Sequence, residues 1–193
     1  MIEVYLDLLI FVILMVATPG PANLLVMIGG AQVGVRPCLG FIAGLVGGKI
    51  ALNICFGVGL GLFLMDQPLV LQILKYVSAA YMIWLTVQSW NDSGSGDAKT
   101  HVFGFRRGII VHPLNPKAWV MVLLAWTQFA PELGSFGARI ILVTLTFAAC
   151  QILFHTLWCW AGAALQRAVP KTQILTRSLI ILTLAVVVWA LFQ

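Results

Sequence analysis

Charge is scarce in this sequence. Aspartate, glutamate, lysine and arginine make up 9% of its 193 residues, against about 25% in an ordinary soluble domain. So few charges cannot clothe a water-facing surface, which excludes a soluble globular protein. Acid is scarcer still. Glu3, Asp7, Asp66, Asp92, Asp97 and Glu132 are the only carboxylates, and each lies in a loop or near the end of an apolar run. Cys38, Cys55, Cys150 and Cys159 form no CxxC pair. That leaves no disulfide framework or metal knuckle, and the thiols read as small apolar side chains. No Walker loop, glycine-rich dinucleotide turn or nucleophile–base arrangement occurs, which excludes a single-chain ATP-driven pump and gives no ground for an enzyme. The net charge of +5 does not indicate nucleic acid, because the basic residues are scattered at span ends without an aromatic platform. No metal site and no cofactor are expected.

What is present is hydrophobicity, 61% of residues with a mean hydropathy of +1.03. Apolar runs fall at about 4–28, 38–65, 68–90, 108–131, 137–165 and 173–192. At ~20 residues per crossing, these predict an all-α integral membrane protein of about six transmembrane helices, with residues 1–193 forming one transmembrane domain in the lipid bilayer. Strands are not expected, since apolar and polar residues do not alternate. The first thirty residues carry Glu3 and Asp7 and no lysine or arginine before Arg36. They lack the positive start of a secretory signal and read as a retained first span.

Turn chemistry separates the runs at 32–37 (QVGVRP), Asp66-Gln67-Pro68, 91–107, 131–134 (PELG) and Pro170-Lys171-Thr172. Arg36, Lys99, Arg106, Arg107, Arg167, Lys171 and Arg177 fall on one side of the predicted membrane, Lys75 and Arg139 on the other. By the positive-inside rule the first group is cytoplasmic. Both termini then face outward, and loop 91–105 lies in the cytoplasm. That loop joins two halves, 1–90 and 106–193, of three spans each. An odd number of spans per half makes the halves run in opposite directions, the geometry of a 3+3 inverted repeat. One correspondence supports it: a proline–asparagine interruption in the first span of each half, at Pro19-Gly20-Pro21-Ala22-Asn23 and Asn115-Pro116-Lys117.

These interruptions are the first candidate site. Pro19 and Pro21 remove two backbone donors. In lipid the carbonyls so freed must find protein, water or ligand. Thr18 and Asn23 are suited to them, and the broken segment should face a protein interior or a wet cavity. A kink that merely helps packing is the plainer alternative. Gly40, Gly44, Gly47 and Gly48 line one face of the second span, fit for close packing within the chain or in a homo-oligomer. Lys49 lies about 11 residues into that span, near mid-depth at ~1.5 Å per residue, with Asn53 on the same face. Ionised there, it costs at least ~2.5–3.5 kcal/mol. Lys117 is similarly placed in the fourth span, and no buried carboxylate is at hand for either. The lysines are therefore neutral, or bonded to freed carbonyls or the interface, or a mobile anion supplies the missing charge. Gln128, Gln151 and His155 are further polar groups in spans four and five. His155 is suited to carry protons, although a histidine in such a place is commonly a packed, hydrogen-bonded one. Neither His101 nor His112 shows ligand spacing with it.

TPGPANLLV at 18–26, GVRPCLGFIAGLVGG at 34–48, LKYVSAAYMIWL at 74–85 and HPLNPKAWVMVLLAWTQF at 112–129 together resemble the lysine exporter/homoserine–threonine exporter (LysE/RhtB) family. The resemblance covers most of the chain and is weakest over 91–105 and the last span. It implies a small bacterial inner-membrane protein with about six hydrophobic segments, exporting amino acids or related metabolites under the proton gradient. The family's motif positions here are Thr18, Pro19, Gly20, Pro21 and Asn23, then Asn115, Pro116, Lys117 and Ala118. Gly34 and Arg36 match its turn after the first span and Tyr81 its aromatic in the third. Lys49 departs from the family pattern, which is small or apolar there, and members that export basic amino acids tend to carry an acid nearby. Pro37 and Cys38 also depart from the glycine-rich entry to span two.

The combined expectation is a secondary exporter of small neutral or polar amino acids. Asn23, Asn115 and the backbone around Pro19–Pro21 would hold substrate, Lys49 or Lys117 would complement its carboxylate, and His155 or Lys49 would relay the proton. The alternatives are a heavy-metal or cation exporter on the same scaffold and a non-transporting membrane subunit.

Overall fold

The computed structural model describes residues 1–59, 61, 63, 67–91, 103–168 and 172–192. Among these, all regular structure is helical. We label the helices α1 (Ile2–Ala17), α2 (Pro21–Val33), α3 (Val35–Gly57), α4 (Pro68–Asn91), α5 (Phe105–Val111), α6 (Pro116–Leu124), α7 (Phe136–Ala168) and α8 (Thr172–Leu191). A π-helical turn, Ala125–Phe129, and a 3-10 turn, Ala130–Glu132, extend α6.

α3, α4 and α7 are each long and apolar enough to cross a membrane. Two bent pairs are each long and apolar enough when taken together: α1 meets α2 at 54°, and α5 meets the helix of Pro116–Glu132 at 59°. The sixth expected run is occupied by α8, whose apolar stretch Ile174–Trp189 is shorter than the others. Both bends fall where proline interrupts the sequence, and Pro21 and Pro116 each occupy the first turn of the second helix. There the missing N–H costs nothing, because the first helical donors have no intrahelical partner anyway. The same reasoning explains why α3 begins at Val35 and runs through Pro37, three residues before the expected start. The polar loop falls largely outside the described residues, as do Asp66, Pro170 and Lys171.

α7 is the central element, with α1, α2 and α3 packed on it, while α5 lies on α3 and α4 pairs with α8. Glycine sets the closest of these contacts. A Cβ on Gly48 would stand 2.2 Å from the Ile109 carbonyl oxygen, and one on Gly44 2.3 Å from that of Phe105. Gly30 and Gly162 do the same between α2 and α7, where a Cβ would meet Cys159 O at 1.9 Å and Met27 O at 2.0 Å. Gly44 and Gly48 thus serve contacts within the chain. Gly40 and Gly47 have no heavy atom closer than 3.7 and 3.8 Å, so close approach does not require them. Large apolar side chains such as Ile10, Ile141, Trp160 and Trp189 face outward, as a lipid-facing surface demands. The four cysteines are free thiols.

Candidate functional site at the two helix breaks

Breaking α1 from α2 strands a row of carbonyls, and each finds a side-chain donor. Pro19 and Pro21 cannot supply the N–H groups that Met15 and Ala17 would accept. Thr18 Oγ1 donates to Met15 O at 2.9 Å, and Trp158 Nε1 on α7 donates to Ala17 O at 3.2 Å. Asn23 Nδ2 reaches back to Val16 O at 2.8 Å and Thr18 O at 2.9 Å. Lys117, from the other break, donates through Nζ to Thr18 Oγ1 at 2.8 Å, Thr18 O at 3.1 Å and Pro19 O at 3.4 Å. A Cβ on Gly20 would stand 3.2 Å from Lys117 Cδ and 3.3 Å from its Nζ. Glycine there leaves the lysine room to lie across the break.

The second break is built more simply. Asn115 caps α6, its Oδ1 accepting from Lys117 N at 3.1 Å, and Trp119 Nε1 donates to Pro113 O at 2.8 Å. The cap leaves the Asn115 Nδ2 without a bond among the described residues. α2 has no side-chain cap, so its first N–H groups keep their hydrogen-bonding capacity, and a helix N-terminus with free N–H groups attracts anions.

Between the breaks lies a cavity of about 20 Å3, lined by Gly20, Asn23, Asn115, Lys117, Gln151 and His155 among others. That is room for about one water, so an amino acid enters only once these groups part. Among the described residues no acidic side chain lines it. A second cavity of about 40 Å3 adjoins through Asn115 and Lys117 and reaches Pro21, Pro116, Lys75 and Ser78.

The structure thus gathers Thr18, Pro19, Gly20, Pro21, Asn23, Asn115, Pro116, Lys117 and His155 around one point. Lys49 stands behind it. Fully buried, it donates from Nζ to Ala118 O at 3.1 Å and lies 4.4 Å from the centre of the Phe147 ring. Asn53 Nδ2 bonds Lys49 O at 3.1 Å, and Trp126 Nε1 donates to Asn53 Oδ1 at 3.3 Å. Against the ~2.5–3.5 kcal/mol of an ionised lysine at mid-membrane, a charge-assisted hydrogen bond contributes about 1.5–3 kcal/mol and a ring face up to ~2. A carbonyl and a ring can therefore hold this lysine without a carboxylate. It is Lys117, not Lys49, that binds the carbonyls freed in the first span.

A single family model, the LysE type translocator, matches residues 13–192. The chain belongs to this family. Curated relatives of this LysE member include a homoserine/homoserine lactone efflux protein of Salmonella typhimurium, 32% identical over 70% of this chain and 69% of the relative. A cysteine/O-acetylserine efflux protein of Klebsiella pneumoniae is 28% identical over 82% of each chain. A membrane protein of Vibrio cholerae is 25% identical over 91% of this chain and 89% of its own. No solved structure matches.

Two residues of the LysE translocator's cavity, His112 and Gln151, were named in the sequence argument but not placed in the site. His112 Nε2 lies 3.4 Å from His155 Nε2, with the rings stacked at 5.6 Å between centroids, and Gln151 Nε2 lies 3.0 Å from His112 Nε2. His155 is thus one of a pair. The usable signals were His112 three residues before the Asn-Pro break, and Gln151 four residues before His155, on one helical face.

Proposed function

We propose that this translocator exports small neutral or polar amino acids, or close derivatives, from the cytoplasm across the bacterial inner membrane by alternating access of two inverted halves. The observation that carries the reading is the reach of Lys117 across to Thr18 and Pro19. One break holds the other shut through a cation that an incoming carboxylate can claim. The substrate carboxylate would take Lys117 and the free N–H groups at the start of α2. Its ammonium would take the Thr18 and Pro19 carbonyls and Asn23 Oδ1. Lys49 sets the potential from behind.

Substrate class follows from charge. Among the described residues the cavity has a cation and no acid, so none of them would neutralise the side chain of lysine or arginine. The names of the Salmonella and Klebsiella relatives support small polar substrates. The inverted plan is supported by matching order: a bent pair, a long helix and a third helix in each half, with a positive-φ glycine, Gly34 at 84° or Gly134 at 95°, leading into the long helix. Proton coupling and outward termini belong to the same proposal. The chain acts as a transporter and no reaction chemistry is assigned to it.

The test is efflux of radiolabelled homoserine, threonine, serine, cysteine and lysine from proteoliposomes, with and without an imposed pH gradient. We expect gradient-dependent efflux of the small polar set and none of lysine. Lys117→Met should lower efflux at least tenfold. Leak equal to that of protein-free liposomes for every amino acid would overturn the reading.

A further inference from the structure

The His112–His155 pair holds more order than substrate binding requires, and its hydrogen positions can be worked out from its neighbours. Asn23 fixes the first. Its Nδ2 is committed to Val16 O and Thr18 O, so its Oδ1 is the atom that faces His155 Nδ1 at 2.9 Å. An amide oxygen can only accept, and His155 therefore carries a hydrogen on Nδ1. In the neutral ring Nε2 is then a bare lone pair, directed at His112 Nε2 at 3.4 Å. Two bare nitrogens at that separation repel, and a hydrogen between them makes a bond.

Gln151 decides where that hydrogen comes from. With its amide nitrogen toward His112 Nε2, at 3.0 Å, it donates to a bare nitrogen. His112 then keeps its hydrogen on Nδ1, and the hydrogen between the rings is an added proton on His155. With the amide turned over, Oε1 accepts from His112 Nε2–H, which also points at His155, and the pair is neutral. His112 Nδ1 and Gln151 Oε1 are both buried without a partner. Those are the atoms whose roles change between the two states.

We propose that His112 and His155 form one proton-binding site that Asn23 ties to the substrate. A substrate ammonium donating to Asn23 Oδ1 competes for that oxygen with His155 Nδ1–H, whose bond is stronger when the ring is charged, and its own positive charge disfavours the imidazolium. The loaded pair then gives up one proton: the hydrogen between the rings passes to His112 Nε2, the hydrogen on His112 Nδ1 leaves, and Gln151 rotates so that Oε1 accepts from His112 Nε2. Proton and substrate exclude one another at Asn23, as an exporter driven by inward protons requires. The charged groups acting on the pair are Lys49 from α3 and Lys117 from α6. α2 has no titratable side chain, α7 adds Cys150 and Cys159 with Arg139 and Arg167 at its two ends, and α1 carries Glu3, Tyr5 and Asp7 in its first two turns. Arg107 on α5 is turned to Gln88 and the Trp84 ring.

This inference rests on the amino-acid reading, and two measurements separate them. Calorimetric titration of the purified full chain with homoserine, in buffers of different ionisation enthalpy, counts protons released on binding. We expect net release from the wild type and its loss in His112→Asn. Equal release in both overturns the pair as the proton site. If no amino acid gives heat, the substrate reading falls, and nitrogen-15 NMR of the wild-type histidines decides the pair by itself. Protonated His155 Nδ1 and a shared titration of two of the three histidines support it, since coupled sites titrate together. Independent titration, or a His155 hydrogen confined to Nε2, overturns it.

Discussion

Trp158 shows how much of the first break rests on single side chains. Its Nε1 is the donor that Ala17 O lost to Pro21. Trp158→Phe keeps an aromatic side chain, smaller than the indole, and removes the donor, leaving that carbonyl unpaired. An unmade bond of this kind costs about 1–3 kcal/mol, and we expect the thermal midpoint in detergent to fall accordingly. An unchanged midpoint would mean that another group takes over Ala17 O. At this scale the sequence was half legible. The double proline announced freed carbonyls, and Thr18 and Asn23 could be named as their partners because they lie within one turn. Trp158, Lys117 and His112 come from far along the chain, and residue type alone does not say which distant donor will arrive. The sequence therefore showed one histidine beside the breaks, where the structure has a histidine pair and freed carbonyls met by donors from distant helices.

Among elements, the seat of α5 on α3 depends on two glycines of the four on that face. This gives predictions of opposite sign for adjacent positions. Gly48→Ala drives a Cβ to 2.2 Å from the Ile109 carbonyl oxygen, which only backbone movement can relieve. Overpacking of this kind costs about 1–3 kcal/mol. Gly47→Ala meets nothing closer than 3.8 Å and gains helix propensity of up to ~1 kcal/mol. The melting midpoint should fall for the first and hold or rise for the second. A joint fall would place the whole glycine face in contact, as a dimer seam would. The four-residue spacing marked the face in sequence, but not its partner: α5 is the short first part of a bent span, and Gly108 opposite sits outside any repeat. The Gly30–Cys159 and Gly162–Met27 approaches were invisible for the same reason, since each glycine meets a residue of another helix.

For the whole molecule, composition alone gave an all-helical membrane protein, and turn chemistry gave most helix ends. Composition could not reveal that the two bent spans bring their second helices, α2 and α6, to one cavity by their N-termini. Those ends carry partial positive charge, and Lys117 adds a full one, with no acid among the described residues that line the cavity. The arrangement makes sense if each half-helix leads from mid-membrane to an opposite face, which the charge pattern predicts: α2 toward the cytoplasm at Arg36, α6 toward the exterior at Glu132. A reporter tag inserted after Ser95, in the polar loop, should then be cut by protease only in inverted or opened vesicles, and a tag fused after Gln193 should be cut on intact spheroplasts. Both cuts on the same side would remove the odd number of crossings after the loop, and the inverted plan with it. Both reversed would keep the plan and turn the molecule over. The Thr18–Lys117 contact would then close the same cavity, but α2 would lead outward from it.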